Sequence, residues 1–192
     1  MTGVQTCALP ISDEWARIEQ AIVQRATLLN HMLADIYGSQ QLIHDRQLPA
    51  AVLFSNPAFL RPCVGIQPRN GVHLHTYAAD LARSPNGTWW VISDRTQNPS
   101  GIGYALENRL VSARTLPSVF NQCHVRPVVE FLEKRRRALQ ALGAGSSDSP
   151  RVVVLTPGPN NETYFEHSFL AHHWGFPLVE GADLTVRGNH VY

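Results

Sequence analysis

Apolar residues recur at Trp15, Ile18, Ile22, Ala26, Leu29, Met32, Leu33 and Ile36. That spacing predicts an amphipathic helix over residues 13–36, with Ser12 as its N-cap. Tyr37-Gly38 ends the pattern, and residues 39–45 read as a further helical turn. Residues 51–54 are briefly apolar, and Asn56-Pro57 starts another turn of helix. The period then falls to two, so residues 73–82 and 88–94 read as strands. Helical spacing returns over 104–114 and 125–142. Residues 143–150, GAGSSDSP, form the clearest linker. Beyond it, short strands at 152–155, 178–179 and 184–186 surround a helix over 162–174, the start of a βαβ-like unit.

The segment 80–109 carries the most chemistry. Ser84-Pro85-Asn86-Gly87 suits a type I turn. If Ser84 pairs with Thr88, Asp80 lies opposite Ile92 and Ala78 opposite Asp94. Asp80 and Asp94 would then project from one face as diagonal neighbours. Close carboxylates repel unless a proton or cation lies between them, and Mg2+ takes such oxygen ligands, often shared with phosphates. The plainer alternative is a pair of solvated turn aspartates, separated by a slip of one residue. Trp89-Trp90 sends one indole to each face of its strand, and at least one is expected to pack.

Pro99-Ser100-Gly101-Ile102-Gly103 is a turn able to offer backbone N–H groups, with Ser100, to a phosphate. Glu107, Asn108 and Arg109 follow one helical turn later, either as a solvated face or near a cation and a phosphate. In 156–161 the chain links a strand to a helix. Asn161, or Thr163 with Glu166 at capping-box spacing, suits that helix start, and binding of a substrate carboxylate is the sharper alternative. The loop lacks a dinucleotide fingerprint.

Composition narrows the field. The 192 residues are 44% hydrophobic, enough for a real core, and the formal net charge is +1. Neither nucleic acid nor membrane is favoured by that balance, and no apolar run approaches the ~20 residues of a bilayer span. Lys134-Arg135-Arg136-Arg137 is flanked by Glu130 and Glu133 and reads as a solvated face. His73, His75, His172 and His173 lack zinc-site spacing. Cys63 and Cys123 read as reduced, buried thiols, which suits a cytoplasmic protein.

Tyr77-Ala78-Ala79-Asp80-Leu81, Asn86-Gly87, Trp89-Trp90-Val91-Ile92-Ser93-Asp94 and Pro99-Ser100-Gly101 together resemble the metal-binding hairpin of ATP-grasp ligases. The continuation PSGIGYALENR, with NPAFLRPC at 56–63 and LTPGPNNETYFEH at 155–167, resembles the circularly permuted ATP-grasp proteins of the second type, relatives of glutathionylspermidine-synthase-like ligases. The resemblance covers residues 12–192. It implies an α/β (α+β) fold: part of the permuted ATP-grasp domain over 13–142, then a truncated pre-ATP-grasp-like unit over 151–192.

The resemblance implies an ATP-dependent carboxylate–amine ligase working through an acyl phosphate. Its cofactors are ATP and Mg2+, and its substrates small-molecule or peptide carboxylates and amines. Asp80 and Asp94 would hold the metal. Arg95 or Arg109 would contact phosphate, and Ser100, Gly101 and Asn108 would meet the nucleotide. Where the family carries Glu-x-Asn, this chain has Ser93-Asp94-Arg95. A missing ligand would then come from Glu107 or Asn108. The alternative is a non-catalytic nucleotide-binding or scaffold protein with a decayed metal site. A third class is a plain interaction domain.

The ends differ in character. Residues 1–12 read as a translated sequencing adapter, because Thr2 to Ile11 back-translate codon by codon into a common library primer. They lack the basic n-region of a signal peptide. The last residues read as a hairpin interrupted in its second strand, so an internal fragment of a longer protein, inactive alone, is expected.

Overall fold

The structure, a computed structural model, describes residues 12–143, 150–188 and 190–192. Most of the adapter-like segment, the Ser12 side chain and most of the 143–150 linker lie outside the described residues. The chain divides into two compact units, residues 1–99 and 100–192.

The first unit is built on helix α1 (Ser12–Ile36), which realises the sequence stripe. Asp35 ends it by turning its carboxylate to the next helix, α2 (Gln41–His44), where it accepts the N–H groups of Gln41 at 2.7 Å and Leu42 at 2.9 Å. The apolar run continues as helix α3 (Ala50–Phe54), whose Leu53 is buried. Strands β1 (Ala78–Arg83) and β2 (Trp89–Arg95) form an antiparallel hairpin. Its turn closes as expected, with Ser84 N–H on Thr88 at 2.9 Å and Gly87 N–H on the Ser84 carbonyl at 2.8 Å. Gly87 sits at φ +86°, which suits a residue without Cβ.

The first strand begins later than its alternation predicts. The His73 and Leu74 N–H groups donate to the Asn30 side-chain oxygen on α1, at 2.9 and 3.0 Å. A backbone donor committed to a side chain does not join a ladder. His73 therefore stacks on Tyr37 instead of sharing a strand face with His75.

Helix α1 fastens the hairpin at two points. Glu14 accepts the Trp89 indole N–H at 2.8 Å and pairs with Arg83 at 3.0 Å. Arg25 reaches Asp94. Positions 14 and 25 are about 16 Å apart along a helix, and 89 and 94 about 17 Å apart along a strand. The two spans match, so one helix face serves both anchors. Trp89 is half-buried, while Trp90 is 60% exposed on the other side.

In the second unit, α4 (Ile102–Thr115), α5 (Pro117–Gln122) and α6 (Val129–Gly143) precede β3 (Val154–Leu155), α7 (Tyr164–Trp174) and β4 (Leu178–Val179). Strands β3 and β4 pair in parallel, so β3, α7 and β4 make a βαβ unit. A short hairpin, β5 (Val186–Arg187) with β6 (His190–Val191), follows. Helix α6 starts later than its sequence pattern because Arg126 precedes Pro127, which disfavours helical backbone.

Leu106, Leu132, Leu170 and Trp174 form the core of this unit. The basic run is only partly solvated, contrary to its sequence pattern. Arg135 lies over the Trp174 ring at 5.3 Å, and Arg136 donates to the Trp174 carbonyl at 3.2 Å. Burial lowers the Arg135 pKa, opposed by the nearby Glu166 charge. Cys63 is half-buried and Cys123 exposed, so the buried-thiol expectation is corrected; both are free. Among the described residues no helix is long and apolar enough to cross a membrane.

Candidate functional site

One residue separates the two hairpin aspartates. From the turn outward, Arg83 pairs with Trp89, Ala82 with Trp90 and Leu81 with Val91. The register then shifts: Asp80 pairs with Ser93, Ala79 with Asp94 and Ala78 with Arg95. Ile92 is the extra residue of a β-bulge. The expected pairs, Asp80 with Ile92 and Ala78 with Asp94, are therefore corrected by one position. A one-residue shift exchanges the faces of a strand. Asp80 and Asp94 consequently project to opposite sides.

Asp94 turns to the side covered by α1. Arg25 grips it as a fork, Nε to Oδ1 and Nη2 to Oδ2, both at 2.6 Å. The Tyr77 hydroxyl donates to Oδ1 at 2.5 Å. The Arg25 hydrogen bonds, then that of Tyr77, pull the Asp94 pKa down to about 2. Burial of its ring, reinforced by Asp94, pushes Tyr77 up to about 12. Asp94 in turn raises the pKa of Arg25.

Asp80 occupies the open side. Its Oδ2 accepts the Ser93 hydroxyl at 2.5 Å and Arg95 Nε at 3.0 Å. The hydrogen bond from Ser93, followed by that from Arg95, lowers its pKa. Among the described residues, no three His, Cys, Asp or Glu side chains are grouped to hold a metal ion. Two carboxylates on opposite faces, each with its own guanidinium, do not fit one shared divalent cation, whose oxygen ligands must converge.

The glycine loop belongs to the second unit. Gly101 has φ +109° and immediately precedes α4. Its N–H lies 2.8 Å from both carboxylate oxygens of Glu166, and the Gly103 N–H lies 2.9 Å from Oε1. Glu166 is only 2% exposed. The helix start thus meets an internal anion, in keeping with its partial positive charge. Ser100, Asn108 and Arg109 are exposed, and Glu107 is half-buried. Glu166 does not form the capping box suggested by its spacing from Thr163. Asn161 instead accepts the Thr163 N–H at 2.9 Å ahead of α7.

A hydroxyl–imidazole network follows β3. Buried Thr156 places Oγ1 3.0 Å from His167 Nδ1 and accepts the Gly158 N–H at 3.2 Å. Thr163 Oγ1 lies 3.2 Å from the other ring nitrogen. Sequence reading singled out neither His167 nor Arg25; their partners are set by folding and leave no local pattern.

The family model for circularly permuted ATP-grasp type 2 matches residues 10–192. The chain belongs to that family. An uncharacterized protein of Mycobacterium leprae is 43% identical over 181 residues, covering 94% of this chain and 32% of the relative. One from Synechocystis is 43% identical over 178 residues, covering 93% of this chain and 37% of the relative. One from Mycobacterium tuberculosis is 44% identical over 179 residues, covering 93% and 32%. The chain therefore spans about a third of the length of these relatives.

Within this hairpin, the bulge has a specific effect. Positions 93 and 95, where the resemblance expects Glu and Asn, turn to the Asp80 side. Asp94, between them, turns away. The mixed helices and small sheets of the two units are consistent with an α+β fold of this type.

Proposed function

We propose that this chain is part of an ATP-dependent carboxylate–amine ligase. The observation that supports the reading is the family match across residues 10–192. ATP-grasp proteins generally use ATP with Mg2+. In the proposed reaction a substrate carboxylate oxygen attacks the γ-phosphorus and ADP departs. An amine then attacks the acyl carbon, phosphate leaves and the nitrogen gives up its proton.

The chain's contribution to that chemistry is positive charge and position. Arg95 on the hairpin or Arg109 on α4 is the cation assigned to phosphate, where preorganised charge stabilises the transferring group. Ser100 and Asn108 are the exposed polar groups assigned to the nucleotide. The Gly101 amide, given the same assignment from the sequence, already serves Glu166. A site inside a cell, with small carboxylate and amine substrates, belongs to the same proposal.

A second reading is a non-catalytic nucleotide-binding or scaffold protein. The separation of Asp80 from Asp94 and the guanidinium beside each favour it. Calorimetric titration of ATP into a protein of the relatives' full length, with and without Mg2+, tests the first reading. Binding followed by ADP release in the presence of carboxylates and amines supports a ligase. Binding without turnover across such a panel moves the assignment to the scaffold, and failure of a folded full-length protein to bind ATP removes both nucleotide readings. Asp80→Asn, Asp94→Asn and Glu107→Gln are the arms that report whether a metal-bound phosphate meets these carboxylates.

A further inference from the structure

We propose that Arg95 is the resident cation of the hairpin's open face, standing where a divalent metal ion would otherwise be held, and that it meets a nucleotide phosphate directly. The bulge is the first ground. It brings Asp80, position 93 and position 95 to one side, with Trp90 two pairs along the same face. Asp80 supplies a carboxylate and Ser93 a hydroxyl, but Arg95 supplies no lone pair for a metal. A divalent cation there would face a fixed positive charge within hydrogen-bond reach of its own carboxylate ligand.

The second ground is the fate of Asp94. Both of its oxygens are engaged by Arg25 beneath α1, so it cannot complete the open face without turning the strand over. Glu14 is likewise paired with Arg83. All three of these carboxylates have a guanidinium partner, Arg83 and Arg95 on the hairpin and Arg25 on α1. Only the pair on the open face is solvated on both sides, at 54% exposure for Arg95 and 46% for Asp80. An exposed pair of this kind is weak, and it runs through Nε, leaving the terminal guanidinium nitrogens for a phosphate.

The inference rests on the ligase reading only for the identity of the phosphate as a nucleotide's. The test uses the full-length protein and Tb3+ as a hard-cation probe, excited through tryptophan. The wild type is expected to give no sensitised emission that depends on Trp90. The double variant Ser93→Glu/Arg95→Asn converts the open face to an all-oxygen set. It is expected to gain emission, removed again by Trp90→Phe, with circular dichroism confirming that each variant folds; Arg95→Asn alone is the milder variant. ATP binding in EDTA is expected to persist in the wild type and to weaken roughly tenfold in Arg95→Ala.

Trp90-dependent emission in the wild type that Asp80→Asn abolishes would overturn the resident-cation inference and leave the ligase reading intact. A folded double variant that gains no emission overturns it as well. Loss of ATP binding on adding EDTA, with Tb3+ silent at the hairpin, overturns only the direct phosphate contact. Failure of ATP to bind under any condition removes the nucleotide reading, while the Tb3+ arm still decides which cation the hairpin carries.

Discussion

Both carboxylate oxygens of Glu166 lie 2.8 Å from the amide nitrogen of Gly101. With the Gly103 amide as a further donor, a buried side chain of α7 closes the start of α4. These bonds are charge-assisted and shielded from water, the condition under which their loss is most costly. Glu166→Ala is therefore expected to lower stability by about 2–3 kcal/mol, and Glu166→Gln by less because one oxygen acceptor remains. Urea denaturation of the two variants checks the order.

Gly103 should tolerate no side chain. A Cβ built there would stand 2.8 Å from Glu166 Cγ, closer than packed atoms approach. Gly103→Ala is expected to cost about 1–3 kcal/mol through forced movement of α4 against α7, despite alanine's better helix propensity. A thermal melt showing stabilisation would contradict the packing argument.

Thr156→Val keeps the shape of a buried side chain and removes its hydroxyl. The Gly158 N–H and His167 then lose a partner. The expected loss is about 1–3 kcal/mol, whereas Thr156→Ser should retain most of the network. Denaturation midpoints for the pair separate lost hydrogen bonding from lost volume.

The Asp94 cluster predicts stability changes at both ends of the pH scale. Asp94 is held at about 2 by Arg25 and Tyr77, below an ordinary carboxylate near ~4. Its contribution is present above ~4 and disappears as pH falls through about 2. Tyr77 is raised to about 12, above the usual ~10. Its contribution is complete below ~10 and disappears as pH rises through about 12. Asp94→Asn should flatten the acid-side dependence and reduce the alkaline one. Stability measured across pH in both proteins checks each sign.

The helical stripe of α1 and the turn at Ser84–Pro85–Asn86–Gly87 were legible because local spacing and turn chemistry dictate them. The bulge was not. Val91 and Ile92 are good strand residues, with no glycine to mark the irregularity, so simple alternation continued through it and placed Asp94 on the wrong face. The early start assigned to β1 failed for another reason: the competing acceptor, Asn30, is 43 residues from His73. Glu166 likewise fits a local capping pattern, but its partners lie 63 and 65 residues away. The family was legible through several long motifs in fixed order, a form of information that residue spacing alone does not carry.

The bulge at Ile92 also has an evolutionary consequence. Deleting that single codon would remove the bulge and leave every other pair of the ladder in place, Asp80 with Ser93, Ala79 with Asp94 and Ala78 with Arg95. The two ionic surfaces, Asp80 with Ser93 and Arg95 on one face and Asp94 on the other, therefore survive an in-frame loss at this point. When homologous hairpins are aligned, a one-residue gap at position 92 leaves the chemistry of both faces in register, and a substitution at 93, 94 or 95 is what changes it.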